Sequence, residues 1–218
     1  MQKNRVNGEL RKPERTEILF GNNTETEIAE YGLKYKMDLS KTMWSPGNTG
    51  WRAVLDGPEK VNSFYSFGNP KVIIDYFAGI GYFTIQLAKS YPTAKIISID
   101  KNPNSIEYLK KNLAINNIDN VEVLNDDCRN IERKGDVVHL GYISNTLTFL
   151  EHAHKNLNKN GIAVFHEAYN NSWLGLKRRS EWGDIPSNFS ELMKNHGFIT
   201  KKFERVKFYG PSKSHEHN

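Results

Sequence analysis

A short glycine-containing segment has the residue types of a nucleoside-binding loop. Asp75-Tyr-Phe-Ala-Gly-Ile-Gly81 follows a run of β-branched residues and precedes a helical pattern. Glycine lets a backbone turn tightly and approach a ligand where a Cβ would clash, and the first N–H groups of the next helix can face polar atoms. Asp75 would hold the loop or receive an ammonium group through water. The segment predicts these cofactor-binding residues: Asp75, Tyr76, Phe77, Ala78, Gly79 and Gly81.

Two further acids stand where they would contact the same nucleoside. Asp100 ends the second predicted strand, about twenty residues beyond the glycines, where a carboxylate can accept both ribose hydroxyls. Asp127 follows the third predicted strand, in the place for contacting an adenine amino group, and Cys128 would add a backbone N–H. Dinucleotide enzymes share the ribose-binding acid, but they have a third glycine where this chain has Thr84. The pattern favours S-adenosylmethionine, with a nicotinamide cofactor as the alternative.

Alternating strand-like and helix-like segments would place these acids at one edge of a sheet. The buried strands are predicted at 72–76, 95–100, 121–124, 136–140 and 161–165. Asn102 and Pro103 are suited to begin one of the helices, and a late helix precedes a strand expected over 198–208. The order predicts an α/β fold with a doubly wound, mainly parallel sheet that binds ligands at the carboxyl ends of its strands. This is the Rossmann-like fold of class I S-adenosylmethionine-dependent methyltransferases.

The chain divides into two predicted parts. Residues 1–68 read as a small N-terminal β-rich module, with short strands expected at 17–20, 33–37 and 51–55. A turn at Gly68, Asn69 and Pro70 leads into the catalytic, cofactor-binding domain, 69–218. A chain of 218 residues is long enough for one substantial α/β domain and a smaller module.

Composition and charge limit the compartment and the partners. No apolar run approaches the roughly 20 residues that span a bilayer, and the N-terminus lacks the apolar core of a secretory signal, so we expect a cytoplasmic protein without membrane association. The only cysteine, Cys128, cannot form an internal disulfide. The net charge of +5 and the clustered lysines and arginines favour an RNA partner. The seven histidines form no zinc pattern, and nothing indicates a stable protein partner.

Over roughly residues 37–211 the sequence resembles the archaeal and eukaryotic family that modifies the purine beside the tRNA anticodon. The resemblance rests on Asp38-Leu-Ser-Lys-Thr-Met-Trp-Ser45, Asn48, Arg52, FAGIGYFTI, IDKNPNSIEYLKKN, LNDDCRN and Arg205-Val-Lys-Phe-Tyr-Gly-Pro211. The family contains guanine-37 ring-nitrogen methyltransferases and wybutosine-synthesising aminocarboxypropyltransferases. It usually has a glutamate before the arginine, where this chain has Trp51.

The resemblance implies the activity and the roles of individual residues. The methyltransferases have Asn-Leu-Pro after the fourth strand, whereas this chain has His139-Leu-Gly-Tyr142, which resembles the aminocarboxypropyl branch. The implied reaction transfers the 3-amino-3-carboxypropyl group of S-adenosylmethionine to C7 of 4-demethylwyosine at position 37 of tRNA(Phe). The implied cofactor contacts are Ser45, Arg52, Asp100, Asp127 and Cys128.

The remaining roles concern the methionine arm and the acceptor. Arg52 would bind the methionine carboxylate through two parallel hydrogen bonds and so orient the reacting arm. Lys41 and Tyr142 would bind the tRNA substrate, and His139 would remove the C7 proton or border the base. Two alternatives stay open: a tRNA guanine-37 methyltransferase and a noncatalytic RNA-binding partner subunit with the same fold.

Overall fold

Short antiparallel pairings occupy the beginning of the chain. The computed structural model describes residues 2–3, 6–13, 16–44, 52–53, 55–143, 145–168, 174 and 185–204. The pairs are β1 (Gln2–Lys3) with β4 (Thr16–Glu17), β2 (Val6–Asn7) with β3 (Lys12–Pro13), and β5 (Glu25–Glu30) with β6 (Leu33–Asp38). They confirm a small antiparallel part before the main sheet.

A parallel sheet forms the centre of the fold. Among the described residues it contains β7 (Val72–Asp75), β8 (Lys95–Ile99), β9 (Val121–Leu124), β10 (Gly135–Leu140) and β11 (Leu157–Phe165), in the order β11-β10-β7-β8-β9. Valine and isoleucine dominate because both faces are buried: Ile73 and Ile74 point to opposite faces and are both 0% exposed. The sheet confirms the predicted doubly wound fold. Its order reverses beside β7, where such folds bind ligands at the carboxyl ends of the strands.

Helices cover both faces of the sheet. They are α1 (Pro58–Tyr65), α2 (Thr84–Ser90), α3 (Pro103–Ile115), α4 (Leu150–Asn156) and α5 (Ser187–Asn195), with 3₁₀ turns at Cys128–Asn130 and Thr146–Phe149. The predicted start of α3 is confirmed, because Asn102 Oδ1 accepts a hydrogen bond from Asn104 N at 3.0 Å and Pro103 occupies the first turn. In the described part of the chain no helix has the length and apolarity needed to cross a membrane.

Three expected strands differ from the structure. Of 17–20, only Glu17 is extended, and Arg52 and Ala53 are helical, while Trp51 and Val54 lie outside the described residues. Residues 198–204 form no strand, and 205–208 are not described. The boundary at residue 68 stays a prediction, although Val61 and Phe67 pack in the same core as Ile73 of the central sheet.

A buried asparagine joins the N-terminal hairpin β5–β6 to the main domain. Asn112 of α3 accepts a hydrogen bond from Lys36 N at 2.7 Å and donates to Lys36 O at 3.0 Å and to Ile80 O at 2.9 Å. Its side chain is fully buried. One turn later, Asn116 makes the equivalent pair of bonds to Lys34 at a more exposed position.

Replacing Asn112 with alanine should therefore destabilise the fold far more than replacing Asn116. The first change removes the partners of the half-buried Lys36 N–H and of the buried Ile80 carbonyl, at about 1–3 kcal/mol for a buried group, whereas water can replace the amide of Asn116. Urea unfolding followed by circular dichroism would measure both variants. Equal losses of unfolding free energy would contradict a special role for the buried amide.

Candidate active site

The glycine loop lies at the carboxyl ends of β7 and β8, held by backbone and side-chain bonds. Ala78 N donates to Ile99 O at 3.0 Å, and Gly79 N donates to Asp100 Oδ2 at 2.7 Å. A Cβ on Gly79, whose φ is +57°, would lie 2.4 Å from the Tyr82 ring, and one on Gly81, with φ +101°, would lie 2.6 Å from Ile85. Glycine is therefore required at these two positions, because a side chain would overlap Tyr82 or Ile85.

Asp100 is held in a charged state that the protein partly disfavours. Burial raises the pKa of Asp100 to about 6. Hydrogen bonds from Asn102 N and Gly79 N lower this pKa in part, and the negative charge of Asp75 raises it slightly. The Asn102 bond is 2.8 Å long. A ligand that donates hydroxyl groups would stabilise this carboxylate, which fits the predicted ribose contact.

Asp75 lies beneath the loop instead of at its mouth. Its side chain is fully buried, accepts a hydrogen bond from Thr84 Oγ1 at 2.7 Å and lies 3.1 Å from His139 Nδ1. Thr84 Oγ1 in turn accepts from Ser98 Oγ at 3.0 Å. These bonds connect β7, β8, β10 and the first residue of α2. Of the two roles expected for Asp75, this geometry favours holding the loop.

His139 is enclosed between aromatic rings. Only 2% of it is exposed, and its ring lies 4.4 Å from that of Phe83 and 5.2 Å from that of His166. Within the described residues its Nε2 has no hydrogen-bond partner. Burial lowers the pKa of His166 to about 3, and an electrostatic interaction with His139 contributes in the same direction. His166 is therefore neutral. The structure brings His139 to Asp75, on the side of the sheet that carries Phe83.

An aromatic cluster lies on the other side of the same sheet edge. Tyr142 stacks on Phe77 at 4.7 Å, and Phe149 meets Phe77 edge-on at 4.9 Å. Cys128 is buried in the same cluster as Tyr76, and burial raises the pKa of its thiol to about 12. A thiol with this pKa stays protonated at neutral pH and is therefore not activated as a nucleophile.

The N-terminal turn at 8–11 crosses the loops that follow β8, β9 and β10. Glu9 lies 3.0 Å from Lys101 Nζ and 3.2 Å from Arg129 Nη2, and Leu10 O accepts from Asn102 Nδ2 at 3.1 Å. Arg11 lies over the Tyr142 ring at 4.7 Å and donates to Ile143 O. Sequence reasoning did not identify this turn, because its partners are about a hundred residues away and no local pattern announces them.

Asp127 is surrounded by cations. Its carboxylate accepts from Arg129 Nε at 2.8 Å and from Lys101 Nζ at 3.2 Å, and chiefly the hydrogen bond from Arg129 holds its pKa well below the usual range. An adenine amino group would have to share these oxygens. Asp127 and Cys128 thus lie at the same sheet edge as Asp100, as predicted, and their contact with adenine stays a prediction.

Arg52 and Lys41 have different surroundings. Arg52 is fully buried and paired with Glu30, and its guanidinium lies 4.8 Å from the centre of the Trp44 ring. Lys41 is half exposed and lies 3.4 Å from Asp38. Ser45 lies outside the described residues. In the part of the chain that the structure describes, no group of three or more histidine, cysteine, aspartate or glutamate residues is arranged to hold a metal ion.

Comparison with known proteins identifies close relatives. A Methanocaldococcus jannaschii protein named tRNA(Phe) (4-demethylwyosine(37)-C(7)) aminocarboxypropyltransferase is 40% identical over 74% of this chain and 62% of its own length. A Pyrococcus horikoshii protein of the same name is 30% identical over 99% of this chain and 73% of its own. The crystal structure of M. jannaschii TYW2 in complex with AdoMet superposes with a TM-score of 0.71 and 32% identity, covering 89% of this chain and 84% of that one.

The chain thus spans less than two thirds of the length of the M. jannaschii relative and more of the P. horikoshii relative. A family described as the TRM5/TYW2 methyltransferase domain matches residues 26–180, which include the hairpin β5–β6, the glycine loop and the aromatic cluster. Because this match covers most of the chain, the protein belongs to the TRM5/TYW2 methyltransferase-domain family.

Proposed function

We propose that this protein transfers the 3-amino-3-carboxypropyl group of S-adenosylmethionine to C7 of 4-demethylwyosine at position 37 of tRNA(Phe). The observation that carries the proposal is the glycine loop, which is anchored on Asp100 at the sheet edge where Gly141 and Tyr142 follow β10. The names of the two archaeal relatives support the same reaction. We place the reaction in the cytoplasm, which agrees with a chain whose single cysteine cannot form an internal disulfide.

The residues present fit the nucleoside half of S-adenosylmethionine. The loop packs so closely on the Tyr82 ring that Gly79 cannot carry a side chain, and Asp100 offers a carboxylate that hydroxyl donors would stabilise. When bound, S-adenosylmethionine supplies three electrophilic carbons around one sulfonium, and the carbon placed in line with the nucleophile reacts. The task of the protein is therefore orientation: Asp100 and the loop fix the nucleoside, and Arg52 fixes the methionine arm.

The atoms of the transfer balance without a further reactant. C7 of the acceptor forms a bond to the γ-carbon of the arm while the bond from that carbon to sulfur breaks, so the electron pair goes to sulfur. The products are the substituted base, 5′-methylthioadenosine and the proton lost from C7. Tyr142 is proposed to contact the planar base, because its aromatic ring lies at the sheet edge directly after β10.

His139 is proposed to act through Asp75. A base for the C7 proton needs a nitrogen that reaches the acceptor, whereas Nδ1 of His139 faces Asp75 and its Nε2 is buried. Holding Asp75 would fix the first residue of α2, Thr84, and with it the end of the glycine loop. His139 then contributes to the reaction by positioning the loop that binds the nucleoside.

The tRNA partner would meet a surface whose lysines are already paired with acids. Lys36 lies 3.5 Å from Glu25, and Lys34 lies 4.0 Å from Glu27, both pairs being exposed. Such surface pairs contribute at most about 1 kcal/mol, so phosphates can replace their carboxylates at little cost. We therefore propose that Lys34 and Lys36 of the hairpin β5–β6, together with Lys41, bind phosphates of the tRNA.

A double-label experiment tests the proposed transfer. The protein is incubated with tRNA(Phe) that carries 4-demethylwyosine and with S-adenosylmethionine labelled in either the methyl or the carboxyl carbon. We expect carboxyl label in the tRNA, no methyl label, and 5′-methylthioadenosine as the second product. Methyl label with S-adenosylhomocysteine would replace the proposal by the methyltransferase. Binding of S-adenosylmethionine without transfer of either label would replace it by the noncatalytic partner subunit.

A further inference from the structure

A buried ion pair lies where the methionine arm is proposed to bind. Glu30, the last residue of β5, accepts two hydrogen bonds from Arg52: Oε2 from Nε at 2.5 Å and Oε1 from Nη2 at 3.0 Å. The side chain of Glu30 is only 9% exposed, and that of Arg52 only 1%. Glu30 carries no role in the resemblance to the tRNA-modifying family, and its distance from Arg52 along the chain hides the pair from sequence reasoning.

Aromatic rings connect this pair to the glycine loop. Arg52 lies over Trp44 at 4.8 Å, and Trp44 lies 5.7 Å from Tyr82, ring centre to ring centre. The Tyr82 ring is the group that a Cβ on Gly79 would strike. Burial raises the pKa of the Tyr82 hydroxyl, and the charges of Asp100 and Arg52 are both close enough to influence it. The ion pair and the nucleoside-binding acid therefore belong to one continuous site.

A second polar group in this cluster has no partner. Tyr35 is fully buried, and among the described residues its Oη makes no hydrogen bond. Burial raises the pKa of Tyr35, and the charges of Arg52 and Glu30 are close enough to modify it in opposite directions. A buried hydroxyl without a partner costs about 1–3 kcal/mol, which a ligand with hydrogen-bonding groups would recover.

The charges of the pair match those of an amino acid. Removing two ions from water costs several kcal/mol for each, and well-packed apolar side chains usually stabilise a fold at least as well as a buried ion pair. Stability alone therefore gives little reason for Glu30 and Arg52 to be buried together. A guanidinium beside a carboxylate is complementary to a zwitterion, whose carboxylate would meet Arg52 and whose ammonium would meet Glu30.

We propose that Glu30 is a positioning residue for the transferred group: it fixes the plane of the Arg52 guanidinium and accepts a hydrogen bond from the α-ammonium of the methionine arm. This inference rests on the proposed function, because it assumes that S-adenosylmethionine is the ligand. With both ends of the zwitterion held, the arm has one orientation relative to the loop, and the same carbon of the sulfonium faces the acceptor in every turnover.

Binding of two ligands distinguishes a positioning role of Glu30 from a purely structural one. S-adenosylmethionine carries the amino-acid arm, whereas 5′-methylthioadenosine has the same nucleoside and no arm. In Glu30→Gln we expect the affinity for S-adenosylmethionine to fall about tenfold or more, as when a charged hydrogen bond is lost, and the affinity for 5′-methylthioadenosine to stay unchanged. Calorimetric titration measures both. The control is Glu59→Gln, which replaces an exposed glutamate in the first turn of α1, and it should bind both ligands as the parent does.

Equal losses for both ligands, or no loss for either, would overturn the inference. If Glu30→Gln does not fold, the double variant Glu30→Leu/Arg52→Met removes both charges together and should restore folding. It should then bind 5′-methylthioadenosine normally and S-adenosylmethionine weakly, and unchanged binding of S-adenosylmethionine would refute the proposal. These titrations need no tRNA, so they remain decisive even if the double-label experiment shows a different transfer or none.

Discussion

Replacing Asp100 with alanine is expected to weaken S-adenosylmethionine binding by about a hundredfold or more, since two effects of about 1–3 kcal/mol each act together. The ligand loses its hydroxyl acceptor. The loop also loses its anchor, because Gly79 N and Asn102 N both donate to this carboxylate. Isothermal titration calorimetry of the variant measures the loss. Asp119→Asn, an exposed acid between α3 and β9, serves as the control and should leave binding unchanged.

Because of the pKa of Asp100, the affinity for S-adenosylmethionine should depend on pH. Burial raises this pKa from 3.8 to about 6, so the carboxylate gains a proton as the pH falls through about 6, and its acceptor capacity for hydroxyls declines. Affinity for S-adenosylmethionine should therefore fall below pH 6 in the parent protein. Asp100→Asn should bind weakly at every pH, with no such step. A step that persists in this variant would assign the titration to another group.

Folding stability should respond to this group in the opposite sense. Because the folded pKa of Asp100 is above the unfolded value, the free energy of unfolding is highest below about pH 4 with respect to this group. That contribution is lost as the pH rises through about 6, a difference of up to about 3 kcal/mol. At neutral pH the chain thus keeps a carboxylate that opposes folding and favours the ligand. Such opposition is typical of binding sites.

The sequence predicted the parts of the site that local patterns specify. The β-branched run before Asp75, the glycines at 79 and 81 and the acid ending β8 lie within one strand-helix-strand unit, so their spacing determines their relative positions. Asn102 and Pro103 likewise mark the start of α3 through capping chemistry that depends only on neighbouring residues. Predictions of this kind need no knowledge of how distant segments meet.

The partner of His139 was not predicted, because it depends on the register between two strands. In the register of β7 and β10, His139 is directly paired with Asp75, and the carboxyl ends of both strands lie at one sheet edge. Val137 and Val138 are both fully buried, although they point to opposite faces of the sheet. Strand alternation in such a sheet does not distinguish a buried histidine from one that faces a ligand.

The partners of the N-terminal region depended on tertiary structure. In β5 (Glu25–Glu30) exposed and half-buried positions alternate, which places Glu25 and Glu27 on the outer face and Glu30 on the inner face with Ile28. Strand alternation therefore indicates that Glu30 points inward. It does not identify Arg52 as the partner of Glu30, because that contact depends on how two segments 22 residues apart in the chain pack together.

Replacing Gly79 with alanine is expected to abolish most cofactor binding, with an affinity loss of about a hundredfold, because the loop must move to relieve a clash that has no flexible partner. The new Cβ would lie 2.4 Å and 2.7 Å from two carbons of the Tyr82 ring. That ring is packed against Trp44, so it cannot simply rotate away. Displacing the loop also breaks the bond from Gly79 N to Asp100.

Gly68→Ala is the matched control for this change. Gly68 has φ +68° against +57° for Gly79, so both alanines meet the left-handed region, at about 1–2 kcal/mol each, but nothing lies within 4 Å of a Cβ on Gly68. Thermal unfolding and titration with 5′-methylthioadenosine should show a modest stability loss and normal binding in the control. Gly79→Ala should lose binding in excess of its stability loss. If both variants bind equally well, the close approach of the Gly79 backbone to Tyr82 does not matter for the ligand, and the nucleoside must bind elsewhere on the sheet edge.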